Sequence, residues 1–435
     1  MSLQTPEKLQ RLQRTLYGKA KQEPGLRFHF LYDKVCRADV LEHAYRLCRK
    51  NGGAAGVDRQ TFEQIEVYGA ERWLGEIEEA LRSEQYKPQP VKRVLIPKPG
   101  GVGERPLGIP TIRDRVVQAA AKLVVEPIFE AGFDDAAYGY RPKRSAIDAI
   151  RRIDEALWQN HSEVVDADLS RYFDTIPHAD LMKSVARRIS DRRMLHLIKM
   201  WLKAPVEITG TDGKTHLEGG KKSKRGTPQG GVLSPLLANI YMHRFIKAFR
   251  KHRLGEKHGA VLVTYADDLV ILCRKDAVGA LETIRGWFES IGLKLNEQKT
   301  SVKNARRESF DFLGHTFKML HSYKTGALYP GVVPSKKAVT RLKDNVRSWL
   351  HRGNVKPLPE VIAALNRKLR GWANYFQHGS VLRTRQTLDR FVYDRVRAFL
   401  RRRNQVQTRG LRRYPREFVF GELGVVELNA LPRSL

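Results

Sequence analysis

Apolar positions recur along this chain with two periods, and the switches between them outline its organisation. Leu9, Leu12 and Leu16 share one face of a short helix ringed by Lys8, Arg11 and Arg14, with Thr5-Pro6 as its predicted start. Asp39–Lys50 reads as a second helix stopped by Asn51-Gly52-Gly53. The turn-rich Gly56–Phe62 stretch then leads to a third helical segment near residues 71–84. The middle mixes periods: Val91–Ile96, Glu163–Leu169 and Ala260–Cys273 are strand-like, whereas Arg113–Phe129 and Ser145–Asn160 are helical, which predicts an α+β domain. The last hundred residues are helical throughout. Their stripes are Val339/Leu342/Val346/Trp349, Ile362/Leu365/Leu369/Trp372 and Leu388/Phe391/Val396/Phe399, with Arg or Lys on the other faces.

Charge sharpens this division. The 435 residues carry 79 Lys+Arg against 47 Asp+Glu, net +32, which points to a polyanionic partner, nucleic acid before membrane. Residues 336–435 hold 23 Lys+Arg and 7 Asp+Glu, net +16, half of the whole excess, and set a boundary near residue 325. The expected units are 1–90 (a helical extension and the start of the next unit), 91–325 (α+β), 326–405 (helical) and 406–435 (a short basic tail of unassigned role). Three cysteines, Cys36, Cys48 and Cys273, lack any CxxC spacing, and no apolar run is long enough to cross a membrane. A cytoplasmic protein is expected.

Two acidic clusters carry the candidate chemistry. In Val261–Cys273, two apolar β-prone runs flank Tyr265-Ala266-Asp267-Asp268, a hairpin whose adjacent carboxylates repel unless a divalent cation compensates them. In Glu163–Asp174, strand alternation sets Asp166 and Asp168 on one face and Val165, Ala167 and Leu169 on the other. Two Mg²⁺ ions about 3.5–4 Å apart require carboxylates from separate segments, and Asp168, Asp267 and Asp268 would supply them. The run Arg225–Ile240, with Gly226, Pro228, Gln229, Gly230, Gly231 and Pro235, gives a backbone able to approach a ligand closely and an amide that both donates and accepts. Lys98 and Arg105 flank Pro99-Gly100-Gly101 in a hairpin able to present two cations to a triphosphate.

On these motifs the chain resembles the reverse transcriptases encoded by bacterial group II introns, the intron-encoded maturases, in the short form without an HNH endonuclease. Asp168-Leu169-Ser170-Arg171-Tyr172-Phe173 is similar to that family's first catalytic motif, and Tyr265–Asp268 to its second. The resemblance implies a right-hand polymerase fold with fingers, palm and a helical thumb (maturase or X) domain. It further implies Asp168, Asp267 and Asp268 as ligands of two Mg²⁺ ions and Phe173 as a steric gate against a 2′-hydroxyl. Arg225–Ile240 resembles the long motif whose Pro228-Gln229-Gly230 lies near the incoming nucleotide, with Lys98 and Arg105 in the fingers and Lys299, in Gly292–Thr300, beside the departing pyrophosphate.

Further along, Ala137–Pro142 is similar to a stretch in which phenylalanines are commoner than Tyr138 and Tyr140. Gly53–Asp58 resembles an N-terminal template-touching motif, and Phe312-Leu313-Gly314 the primer grip, where Gly314 would let primer backbone approach. Leu365–Phe376 looks like the thumb signature, with Arg367, Lys368 and Arg370 facing nucleic acid. The implied activity is RNA-directed DNA polymerisation that copies intron RNA into cDNA, together with maturase binding of group II intron RNA to assist splicing and mobility. The implied partners are group II intron RNA, an RNA template, a DNA primer, dNTPs and target DNA, in a bacterial cytoplasm with nucleoid association during insertion and no membrane. A non-catalytic RNA-binding splicing factor and a domesticated, defence-associated or retron-like reverse transcriptase are the competing readings.

Overall fold

The computed structural model describes residues 3–97, 103–210, 213–322 and 324–432. The N-terminal helices α1 (Glu7–Gln22), α2 (Tyr32–Val35), α3 (Ala38–Asn51), α4 (Phe62–Tyr68) and α5 (Ala70–Arg82) bury one apolar stripe each. Pro6, not Thr5, stands at the start of α1, and Thr5 makes no side-chain cap. α4 begins at the end of the turn-rich Gly56–Phe62 stretch, in a segment where the pattern predicts no helix. Its start is a capping box in which the Thr61 hydroxyl accepts from the Gln64 backbone amide and the Gln64 side chain accepts from the Thr61 amide, so two orphan donors of the helix end are satisfied reciprocally.

The hairpin β1 (Val91–Pro97) and β2 (Glu104–Ile109) projects from this helical base, with Ile96 opposite Arg105. Two long helices follow, α6 (Ile112–Glu130) and α7 (Ala146–Trp158), the second started by Ser145 through a capping box with Asp148. Next come β3 (Glu163–Asp168), α8 (Tyr172–Thr175), α9 (His178–Ala186), α10 (Arg192–Leu202), and the hairpin β4 (Pro205–Thr209) and β5 (Thr215–Gly219). β4 runs parallel to β1 and completes a sheet of order β2-β1-β4-β5. This second hairpin is not foreshadowed by the sequence pattern, because its strands are half-exposed or exposed and show no apolar alternation.

After α11 (Ser234–Lys251) and α12 (Leu254–His258), the chain forms β6 (Ala260–Tyr265), β7 (Asp268–Cys273), α13 (Ala277–Ser290) and β8 (Ser301–Asn304). These strands make the central sheet β6-β7-β3-β8. Its buried face (Val165, Ala167, Leu269, Ile271) packs on α11 and α13 within the large core, leaving the β3–β7 ends open.

A third sheet, β9 (Phe310–Phe312), β10 (His315–His321) and β11 (Leu328–Pro334), joins this body to the helices α14 (Lys336–Trp349), α15 (Leu358–Tyr375) and α16 (Leu382–Arg403). The expected boundary near residue 325 falls inside the β10–β11 hairpin. Phe317, Met319 and Val332 pack with α7 and the central strands, whereas the helical core begins at Ala338.

The tail beyond α16 is part of that helical core, not a separate stub. Tyr414, Val419, Val425, Val426 and Leu428 are buried in it. The fully buried Arg385 donates to the carbonyl oxygens of Leu428, Leu431 and Pro432, while Asp389 accepts from the amides of Leu428 and Asn429. Among the described residues no helix is long and apolar enough to cross a membrane.

Candidate active site

The acidic centre is built by strand register. β3 and β7 are antiparallel with Asp168 directly opposite Asp268, and β6 pairs with β7 so that Tyr265 is opposite Asp268 as well. Two residues, Ala266 and Asp267, close the β6–β7 hairpin, with Ala266 held at φ 59°. A side chain in that region is strained, and the Ala137–Pro142 segment braces the turn. Tyr138 donates its amide to the Thr264 carbonyl (2.9 Å), and a Cβ on Gly139 would come within 2.5 Å of the Ala266 nitrogen. Arg141, buried, anchors the segment through a bidentate pair with Glu130 and bonds to the Asp134 and Ala137 carbonyls.

Negative charge is crowded at this cluster. Burial, then Asp267 and Asp168, push the Asp268 carboxyl up to about 7, although its side chain still meets solvent. Burial and Asp168 push Asp267 up as well. Lys299 donates to Asp168 Oδ2 at 3.0 Å, and Asn296 donates to the same oxygen at 3.1 Å. The bond to Asp168 raises the Lys299 ammonium above its ordinary value, so Lys299 serves here as a charge partner and is a poor proton donor. Asp166, on the same face, pairs with Lys303 at 3.1 Å. No group of three ligating side chains among the described residues is already closed into a metal cage. The donor set itself, three oxygen-only carboxylates, suits a hard divalent ion.

The second group lines the cleft beside this centre. Arg105 donates to Gln229 Oε1 (3.1 Å), and Gln229 Nε2 donates to Asp174 Oδ1 (2.9 Å), so one amide bridges the β1–β2 hairpin and the segment after β3. Gly230, at φ 113°, lies so close to the Gly108 carbonyl that a Cβ would collide with it, and the Gly108 amide donates to the Gln229 carbonyl. Pro228 accepts from the Ser234 hydroxyl at the start of α11. Phe173 is buried, its carbonyl accepting from Thr227, and its ring meets Tyr140 edge-on at 6.4 Å. Tyr140, half-exposed and at φ 58°, also meets Tyr265 at 6.5 Å, and its hydroxyl is pushed up by burial and by Asp267. It thus connects Phe173 to the carboxylate cluster.

At the thumb, Leu313 (φ 46°) and Gly314 (φ 77°) form a two-residue turn between β9 and β10, held by the Tyr375 hydroxyl on the Leu313 carbonyl (2.9 Å) and the Ser335 amide on the Gly314 carbonyl (2.8 Å). Gly314 shares a groove of about 510 Å³ with Arg341, Asn345, Lys368 and Tyr375.

Residues 96–317 match the family described as reverse transcriptase (RNA-dependent DNA polymerase), and residues 339–415 match the group II intron, maturase-specific domain. The chain is a reverse transcriptase carrying a group II intron maturase domain. It is 33% identical over 366 residues to protein YkfC of Escherichia coli, covering 75% of this chain and 93% of that one. It is 36% identical over 226 residues to the group II intron-encoded protein LtrA of Lactococcus lactis, covering 51% of this chain but 35% of LtrA. An uncharacterised 91 kDa protein in the cob intron of Schizosaccharomyces pombe is 26% identical, over 83% of this chain and 52% of that protein.

The right-hand polymerase fold follows, with the maturase match falling on α14–α16 and the start of the tail. In this reverse transcriptase the fold brings Asp168, Asp267, Asp268 and Lys299 together, joins Arg105, Phe173, Pro228, Gln229 and Gly230 in a second group, and sets Gly314 beside Lys368 in a third. Arg367 and Arg370 lie exposed on α15, outside that groove. Lys98 lies outside the described residues. Sequence reasoning assigned no role to Asn296, Asp174 or Tyr140. The first two stand inside motifs already read as functional, whereas the positive φ that turns Tyr140 toward Phe173 leaves no mark in composition or period.

Proposed function

We propose that the enzyme copies group II intron RNA into cDNA from a DNA primer, using two Mg²⁺ ions held by Asp168, Asp267 and Asp268, and that its thumb and tail bind the intron as maturase. The observation that carries this is the cross-strand pair Asp168–Asp268 with Asp267 on the adjoining turn. When bound, the ions would supply Lewis-acid stabilisation of the charge that grows at the α-phosphate.

The chain's own residues do the positioning, which dominates phosphoryl transfer. Arg105, together with Lys98, neutralises the triphosphate. Gln229 fixes Arg105 from behind while tied to Asp174. Phe173, backed by Tyr140, crowds a 2′-hydroxyl and selects dNTPs, and the tight Leu313-Gly314 turn admits primer backbone beside Lys368. Release of Lys299 from Asp168 frees its ammonium for the departing pyrophosphate. Exposed Arg367 and Arg370 suit RNA phosphates, and a net charge of +32 suits a protein that works in the bacterial cytoplasm and reaches target DNA at the nucleoid.

Calorimetric titration with Mg²⁺ tests the ligand set apart from turnover. Binding heat seen with wild type and lost in Asp268→Asn supports the assignment, and equal heat in both proteins refutes it.

A further inference from the structure

A concave pocket of about 580 Å³ opens between the C-terminal end of α1, the end of α6, and helices α9 and α11. It shares no lining residue with the catalytic cleft. Phe129 and Phe133 contribute to an apolar floor, and the rim is cationic: Lys21, Arg187, Arg188, Arg244 and Lys247, with no carboxylate among the described lining residues.

Two of these cations build the wall. Arg188 donates to the carbonyl oxygens of Ala20, Glu23 and Pro24 at the end of α1, and Lys21 donates to the Ala131 carbonyl. The N-terminal helix therefore closes one side. Arg187 and Lys247 are exposed at the rim. Burial first, then the neighbouring charges of Arg187 and Arg188, push the Lys247 ammonium below its ordinary value. His243 also lines the pocket. Its ring meets Phe133 edge-on at 5.5 Å, burial pushes its imidazole down to about 4, and its buried Nδ1 has no partner among the described residues.

A rim of five cations, of which Arg244 alone has a carboxylate partner among the described residues (Asp180, 3.8 Å), asks for an anion, and an aromatic floor asks for a flat apolar group. A nucleotide carries both, and the volume lies within the usual range for small-ligand pockets. We propose that this pocket binds one unpaired nucleotide of an RNA strand, its base against the Phe129–Phe133 floor beside His243 and its phosphate on Arg187 and Lys247. The inference rests on the chain's acting on RNA. It gives the N-terminal helix a role in gripping RNA at a point separate from the template cleft.

The test is photocrosslinking of the full chain to a short single-stranded RNA carrying one 4-thiouridine, followed by peptide mapping. Crosslinks are expected in residues 129–133 or 240–247, with yield falling about tenfold in the Arg187→Glu/Lys247→Glu variant, the loss of two charge-assisted contacts. The same variant should extend a pre-annealed primer on its template at the wild-type rate, because neither side chain touches the cleft. Crosslinks confined to the cleft, or a pocket crosslink indifferent to the charge reversals, overturn the proposal. Displacement by free uridine monophosphate as effectively as by unlabelled RNA overturns the strand assignment in favour of a free nucleotide. Wild-type protein that crosslinks at the pocket but fails to extend the primer would count against the polymerase reading and not against the pocket.

Discussion

Asp168 and Asp268 face each other across the antiparallel β3–β7 pair, and Lys299 holds Asp168 from the open side. Like charges in direct cross-strand register destabilise a sheet, so the fold keeps a local penalty whose relief is cation binding. Asp268→Asn should therefore stabilise the metal-free protein at pH 8 by about 1 kcal/mol, the screened value for a group that meets solvent, while abolishing polymerisation. The sign follows from a folded value pushed from 3.8 up to about 7. The folded state binds the proton more tightly, so this contribution to stability is lost as pH rises through that window. Thermal melts with chelator across pH 4–8 measure it, and a lower melting temperature for the variant at pH 8 would contradict it.

Phe173 is buried but borders the cleft through Tyr140. Phe173→Val should lower discrimination against ribonucleotides by about tenfold or more, the range open to a pocket that excludes one hydroxyl by shape. Tyr140→Ala removes the backing ring and should move discrimination in the same direction by less. Competitive incorporation of paired dNTPs and rNTPs reads both, and unchanged ratios in both variants would remove the gate from this position.

Gln229 bridges Arg105 and Asp174. Gln229→Ala frees Arg105 and removes one face of the nucleotide cleft, so the KM for dNTP should rise about tenfold with a smaller change in kcat. Steady-state kinetics check this split. A fall in kcat at constant KM would show that the amide acts on the reacting atoms and not on binding.

His315 sits fully buried against Tyr375 and Phe376 where palm meets thumb, and burial pushes its imidazole from 6.5 down to about 4. The folded state resists protonation, so its stability contribution is full above pH 6.5 and is lost as pH falls toward 4. His243 behaves alike. His315→Phe should flatten the acid limb of the melting profile without removing it. An unchanged limb would place the acid sensitivity elsewhere.

Arg385 ties the tail to α16 through three carbonyls. Arg385→Met removes a fully buried donor shared by the Leu428, Leu431 and Pro432 carbonyls and should cost about 3 kcal/mol, read as early unfolding of the thumb and faster amide exchange over residues 414–432. Exchange as slow as in wild type would contradict the clamp.

Much of this was legible before the fold. Period and turn chemistry outlined the β6–β7 hairpin, the strand carrying Asp168 and the three thumb helices, because each is a strong local pattern: apolar alternation into a core, or a stripe of Leu, Val and Trp at helical spacing. What stayed hidden depends on contacts distant in sequence. The tail reads as a basic stub until Arg385, itself looking like one more surface cation, is found buried beneath it. The β4–β5 hairpin hides because exposed strands need no alternation. Tyr140 owes its role to a backbone angle, and Asn296 to a bond with a residue 128 positions earlier.

Primer extension on an RNA template with Mg²⁺, with wild type beside Asp267→Ala, tests the central claim most directly. Template-dependent DNA synthesis by wild type that vanishes in the folded Asp267 variant is the predicted result. Synthesis retained by that variant, or absent from folded wild type, would contradict an RNA-directed DNA polymerase whose chemistry depends on these carboxylates.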